Sequence, residues 1–244
     1  MKKVEVSFSP ELFSVYFHSQ DCVVVVIDVF RATSAICTAF HHGANRIIPV
    51  ATLEEAEKYK EMGFLVGAER GGEVVPGFDF GNSPFSYMDE AVKGKDIVLT
   101  TTNGTHALNI AKPADRIVVG SFLNISALTN YLVEQQKDVL LLCAGWKGRF
   151  NLEDTLFAGA VVDQLVQHDG FSDLADSAIA STHLYTQARE DMAAFLANSS
   201  HRKRLARLDL EKDINYCLQQ DITTAVPVLH EGALVAAHTL SNVL

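Results

Sequence analysis

The 244-residue sequence has few of the residues that staple or stiffen a small fold, with four cysteines, six prolines and one tryptophan. Cys22, Cys37, Cys143 and Cys217 are far apart and contain no C-x-x-C pair, which excludes a zinc ribbon and a dense disulfide framework. Long apolar runs are also missing. Purely apolar stretches such as 23–27 are far short of a membrane span, and no apolar signal core follows Lys2 and Lys3. Positive charge is scarce, with 20 Lys and Arg against 30 Asp and Glu and a net charge of −10. That balance argues against a nucleic-acid partner, because phosphate-backbone binding needs a basic face. Neither a Walker lysine motif, nor G-x-G-x-x-G, nor an H-x-x-x-H pair occurs. The expectation is a soluble, reduced, cytoplasmic protein with no membrane and no nucleic acid among its partners. Whether it forms a homo-oligomer is left open.

Hydrophobic residues make up 48% and charged residues 20%, the composition of a globular chain with a sizeable core. Periods of two and of 3.6 residues alternate along it, as expected for an α/β fold: a three-layer arrangement of a largely parallel or mixed sheet with helices on both faces. Strands are expected over 4–8, 23–28, 46–50, 65–68, 97–100, 116–120 and 139–144. Helices are expected over 32–42, from the Thr52/Glu55 capping box to 62, over 106–111, from about 125 to 136, and over 153–168. Beyond Phe171 the pattern reads as two long helices, 173–198 and 202–219. No linker divides the chain, so 1–244 is expected to be a single unit, with lobes 1–135 and 136–244 as the alternative. Small polar turns follow the strands ending near Asp28, Thr101, Ser121 and Gly145. The carboxyl ends of parallel strands are where such folds bind ligands.

Four segments carry candidate chemistry. Asp28 closes a buried β-branched run and is followed by Arg31, Thr33 and Ser34, pairing a hard oxygen ligand with an anion donor; the plainer reading is a helix cap paired with Arg31. The stretch 67–84 has too many glycines and prolines for a regular element and presents Glu69, Arg70, Asn82 and Ser83, unless it is an Ω-loop packed on Phe78 and Phe80. Thr101, Thr102, Asn103, Gly104 and Thr105 form the best phosphate cradle in the chain, or an ordinary turn with N-cap threonines. Glu153 and Asp154 open a helix, where they either complement its dipole or hold a divalent cation. Cys143 reads as core, and the basic cluster Arg202, Lys203, Arg204 and Arg207 as a solvated helix face.

Taken together, the strings at 27–34, 69–72, 77–84, 101–105 and 153–155 resemble the 2-phosphosulfolactate phosphatase family, in the expected order and over nearly the whole chain, with a looser tail around Asp213, Cys217 and Pro227. Phe30 and Asp209 depart from its pattern. The resemblance implies a magnesium-dependent phosphatase that converts 2-phosphosulfolactate, a small anionic phosphorylated substrate, to sulfolactate and phosphate, a step toward coenzyme M in organisms that make it. On that footing Asp28, Glu153 and Asp154 are expected to bind Mg2+, with Glu69 as a fourth ligand. Asp28, Arg31, Glu69 and Arg70 form the expected catalytic group. The 101–105 turn is expected to bind substrate, with Asn82 and Ser83 orienting it. Attack by water is preferred over an aspartyl phosphate on Asp28, since the second aspartate of haloacid-dehalogenase-type schemes is replaced by Phe30. The competing readings are a non-catalytic binding module for a phosphorylated or sulfonated metabolite, and a nicotinamide-dependent oxidoreductase, which lacks its glycine fingerprint.

Overall fold

The computed structural model describes residues 1–240. Among them eleven strands form one mixed sheet: β1 (Lys3–Ser7), β2 (Cys22–Ile27), β3 (Arg46–Pro49), β4 (Leu65–Arg70), β5 (Glu73–Val74), β6 (Asp96–Thr100), β7 (Arg116–Gly120), β8 (Asp138–Cys143), β9 (Asp173–Leu174), β10 (Pro227–His230) and β11 (Ala233–Ala236). Their order across the sheet is β5-β4-β6-β3-β11-β10-β7-β2-β8-β1-β9. The helices are α1 (Phe13–Tyr16), α2 (Ala32–His41), α3 (Leu53–Glu61), α4 (Gly104–Ala111), α5 (Ile125–Gln135), α6 (Leu152–Leu165), α7 (Asp176–Ala188), α8 (Met192–Leu196), α9 (Ser200–Ala206), α10 (Glu211–Cys217) and α11 (Ala237–Leu240).

Two parallel blocks, β7-β2-β8-β1-β9 and β3-β6-β4, are joined by the antiparallel hairpin β10–β11. The central strand β2 is buried along its whole length because helices cover both faces of its block. Val23, Val25 and Ile27 pack with Leu128, Phe157 and Val161 of α5 and α6, whereas Val24 and Val26 pack with Ile36, Ala39 and Leu108 of α2 and α4. The second cluster also takes in Ile47, Ile97 and Leu99 of the other block, so both blocks close on the same two helices. Helices thus lie on both sides of one sheet, and the molecule is a three-layer α/β fold. Strands from residues 1–135 and from 136–244 interleave, with β8 between β2 and β1.

The Thr52/Glu55 capping box forms as the spacing implies: Glu55 N–H donates to Thr52 Oγ1, and the Glu55 carboxylate accepts from Thr52 N–H. The C-terminal reading needs correction. In place of helices over 173–198 and 202–219 the chain makes the short strand β9 and four helices. Asp191 and Ser199 cap α8 and α9 through the N–H groups of Ala194 and Arg202, and Asp209 turns with φ 56° before α10. The hairpin β10–β11 is an element that the expected pattern of strands lacks. Glu231 and Gly232 both have positive φ, 48° and 83°, which is the backbone of a two-residue hairpin turn, but a glutamate in the first position masks it.

Candidate active site

The ends of β2, β4, β6 and β8 meet helix α9 around a cavity of about 240 Å³. Asp28 and Arg31 reach it from the β2–α2 turn, Glu69, Gly71 and Gly72 from the end of β4, and Asn82 from the following loop. Thr102 and Asn103 enter from the β6–α4 turn, Trp146 and Lys147 from the turn after β8, and His201, Arg204 and Leu205 from α9.

Asp28 sits at the end of the buried strand, 5% exposed. Its backbone N–H donates to Thr33 Oγ1, fixing the turn into α2. Burial, reinforced by Glu69 and Glu153 and opposed by His201, pushes its carboxyl up to about 7. Close approach of α4 is what makes Gly104 necessary: a Cβ there would lie 2.9 Å from Ala32 Cβ and 3.2 Å from Asp28 Oδ2.

Arg31 is 4% exposed and anchored to the protein through two of its donors. Nη1 donates to Asp213 Oδ2 and Nη2 to Gly72 O, both at 2.5 Å. Asp213 Oδ1 also accepts from Ser83 Oγ, so one carboxylate of α10 ties the β2–α2 turn to the 77–84 loop. Glu69 accepts from Gly72 N–H at 2.5 Å and, at longer range, from Asn82 Nδ2 and from the N–H and hydroxyl of Thr102. Asn82 Oδ1 is buried with no partner.

A family model described as 2-phosphosulpholactate phosphatase matches residues 7–232, nearly the whole chain. The protein belongs to the 2-phosphosulfolactate phosphatase family. Its relatives include a "Probable 2-phosphosulfolactate phosphatase" of Thermotoga petrophila, 45% identical over 86% of this chain and 90% of that protein. Proteins of the same name from Thermotoga maritima and Clostridium acetobutylicum are 44% and 39% identical, again over 86% of this chain, and over 90% and 91% of their own lengths.

Within this family member, the expected site residues divide into two groups. Asp28, Arg31, Glu69, Asn82, Thr102 and Asn103 line the cavity together. Arg70 does not: its guanidinium donates to Glu69 O and Thr100 Oγ1. Ser83 holds Asp213. Thr101 and Thr105 bond to each other across the start of α4, Thr101 Oγ1 accepting from Thr105 N–H and Thr105 Oγ1 donating to Thr101 O, while the N-cap position itself is Asn103. Gly104 serves the close packing of α4.

The two adjacent carboxylates on α6 also stand behind the wall. Asp154 accepts Val29 N–H on Oδ1 and Gly145 N–H on Oδ2, clamping the ends of β2 and β8 together. Its proton affinity is raised well above the ordinary range by burial, Glu153 and Asp28. Glu153 Oε1 is paired with His201 Nδ1 at 2.5 Å, and its Oε2 is buried without a partner.

Two unpartnered buried oxygens, Glu153 Oε2 and Asn82 Oδ1, together with the crowded acids Asp28, Glu153 and Glu69, are a donor set suited to a hard divalent cation. Asp154, with each oxygen engaged by backbone, fits that task less well. Among the described residues no three His, Cys, Asp or Glu side chains are grouped so as to hold a metal by themselves. A cation here would need oxygens from substrate and water, which is how magnesium is commonly held.

His201, Arg204, Trp146, Lys147 and Asp213 took no part in the sequence-based site. The basic cluster at 202–204 looks like a solvated face, and Arg202 does bond to Glu211 there. His201, Arg204 and Leu205 nevertheless follow the i, i+3, i+4 spacing of one helix face, and the apolar Leu205 marks that face as inward. Cys143 is buried, with its thiol pushed well up by burial, as befits a core residue.

Proposed function

We propose that this cavity hydrolyses 2-phosphosulfolactate to sulfolactate and phosphate with Mg2+ as cofactor. The observation that carries the reading is the meeting, in one cavity, of carboxylates from two separate strand ends, Asp28 and Glu69, with three cationic groups: Arg31 from the same turn as Asp28, and Lys147 and Arg204 from two other segments. Phosphomonoester hydrolysis is the reaction class of the family to which the chain belongs. It asks for stabilisation of charge on the phosphoryl oxygens more than for covalent chemistry.

In this reading Asp28, on the cavity wall, would hold the magnesium, with Glu153 adding negative charge from behind the wall and the Asn82 amide oxygen, also at the cavity, as a neutral donor. When bound, the ion supplies Lewis-acid polarisation of the phosphoryl group. The chain's own residues do the rest. Arg31, held rigid by Asp213 and Gly72, presents its remaining N–H groups to the ester. Thr102 and Asn103 offer donors from the β6–α4 turn. Trp146 and Leu205 reduce the water around the bound ester. Glu69 shapes the floor by fixing the Gly72 and Thr102 backbone. Water, activated in this cavity, attacks phosphorus, and the ester oxygen leaves as the sulfolactate hydroxyl.

Phosphate release from 2-phosphosulfolactate with and without Mg2+ tests the reading. Metal-dependent turnover is the expected result. Binding without any release, in either condition, would leave a metabolite-binding module instead. Acid quenching during turnover is expected to trap no phosphoenzyme; a phosphorylated Asp28 would replace water attack with an aspartyl phosphate.

Among the described residues no helix is long and apolar enough to cross a membrane. A reduced cytoplasmic setting is part of the same proposal, supported by four free, buried cysteines.

A further inference from the structure

Three cationic side chains line the cavity, and they are not equivalent. Arg31 is neutralised by Asp213 in a buried ion pair. Arg204 and Lys147 form no salt bridge among the described residues, although the protein is strongly acidic. Both rest on the ring of Trp146: the Arg204 guanidinium carbon lies 5.0 Å from its centroid and Lys147 Nζ 4.9 Å. Two unpaired cations gathered on one aromatic platform repel each other, an arrangement that favours an anion between or above them.

The donor inventory points the same way. An arginine has five N–H donors. Arg204 uses one on Gly71 O at 3.2 Å and one on His201 Nε2 at 2.8 Å, which orient the guanidinium. Its Nε is buried and has no partner. Lys147 Nζ makes no hydrogen bond among the described residues, while its backbone N–H leans toward Asn103 Oδ1 at 3.5 Å. Unsatisfied donors on unpaired cations suit a permanently ionised group rich in acceptor oxygens and free of protons. A sulfonate is such a group, and it needs no metal to be held.

We propose that Arg204 and Lys147, on the Trp146 ring, form the subsite for the sulfonate of the substrate and set the preference for a phosphorylated hydroxy acid that carries a second strong-acid group. The assignment rests on the functional reading above and extends it by dividing the cavity. The phosphoryl end lies with Asp28, Arg31 and Thr102, and the sulfonate end lies at the junction of α9 with the turn after β8.

The test compares 2-phosphosulfolactate with 2-phospholactate, the same ester with hydrogen in place of the sulfonate. The latter is measured as a competitor, so that its affinity is read whether or not it turns over. In Arg204→Gln, KM for 2-phosphosulfolactate is expected to rise at least 30-fold while the inhibition constant of 2-phospholactate moves less than 3-fold. Lys147→Gln, an exposed position whose replacement leaves the core intact, is expected to raise the same KM about 5-fold with the same selectivity. Equal losses for the two esters in both variants would assign these cations to the phosphoryl group and overturn the proposal. So would an unchanged KM in Lys147→Gln together with unchanged relative affinity in Arg204→Gln. A parent protein that binds 2-phosphosulfolactate but releases no phosphate would overturn the phosphatase reading alone, since the two affinities could still be compared by direct binding.

Discussion

The wall of the cavity that carries Asp28, Glu69 and Thr102 hangs from the carboxyl ends of buried strands, whereas the wall that carries His201, Arg204 and Leu205 is one two-turn helix. The first wall is fixed locally. β2 is paired on both sides along its length, Thr33 holds the Asp28 backbone, and Asp154 clamps β2 to β8. The second is fixed only by what it touches: Glu153 on His201, Gly71 on Arg204, and the core around Leu205. Acids that repel each other are thus mounted on the rigid side, where the sheet can bear the cost, together with Arg31 and Lys147, whereas Arg204 comes from the side that depends on docking. An isolated helix of seven residues would not form in water, so the wall that carries His201 and Arg204 exists only in the assembled fold.

The largest effect is expected on the rigid wall. Asp28→Asn should lower kcat for phosphate release about 1,000-fold or more, a loss of order 4 kcal/mol in transition-state stabilisation. Removal of a buried charge should leave the melting temperature at pH 8 unchanged or higher. Activity near that of the parent would remove Asp28 from the site.

The junction between the walls comes next. Asp213→Asn breaks the buried pair with Arg31 and loosens Ser83, so stability should fall by about 3 kcal/mol, read by denaturant unfolding. Arg31 would lose its orientation, and kcat should fall about tenfold. If stability fell but kcat did not, Arg31 would not need Asp213 to hold it.

A third prediction separates the walls by pH. The folded-state carboxyl of Asp28 is raised from 3.8 to about 7, and Asp154 is raised in the same direction. A raised pKa contributes stability that is complete below the unfolded value and is lost as pH rises through the folded one. Metal-free protein should therefore lose stability between about pH 4 and pH 7 through the acid wall, and Asp28→Asn should lose less over that window. Mg2+ should offset the loss at pH 8 and bind more weakly below pH 7, where protons compete for Asp28. Parallel curves for parent and variant would contradict the raised carboxyl.

The smallest effect is expected outside both walls. Thr52→Ala removes the cap of α3, and about 1 kcal/mol of stability should go with it at unchanged kcat and KM. A change in KM would show that the cavity is coupled to α3 by contacts other than those described.

Much of the fold was legible because it is written locally. The β-branched run of β2, the alternation that places Val23 and Val24 in different core clusters, and the Thr52/Glu55 box are each decided by a few neighbouring residues. The strand-end acid Asp28 was legible for the same reason, since a carboxylate at the end of a buried strand is informative by position alone; Glu69 reads from the sequence as part of the turn-rich stretch 67–84, whereas the structure extends β4 through it. The hairpin β10–β11 was not legible, because its place between β7 and β3 closes contacts across more than a hundred residues of chain. Nor was the division of labour between adjacent residues. Glu153 and Asp154 look alike in sequence, yet one accepts backbone N–H on each oxygen and the other pairs with His201.

By itself, then, the sequence determined an α/β fold, the family the chain resembles, and two acids, Asp28 and Glu69, that the fold brings to one cavity. Tertiary structure alone decided which cations face those acids. It turned Arg70 away and Arg204 inward, because a guanidinium on a long side chain goes where acceptors and an aromatic surface are offered, and those lie far away along the chain.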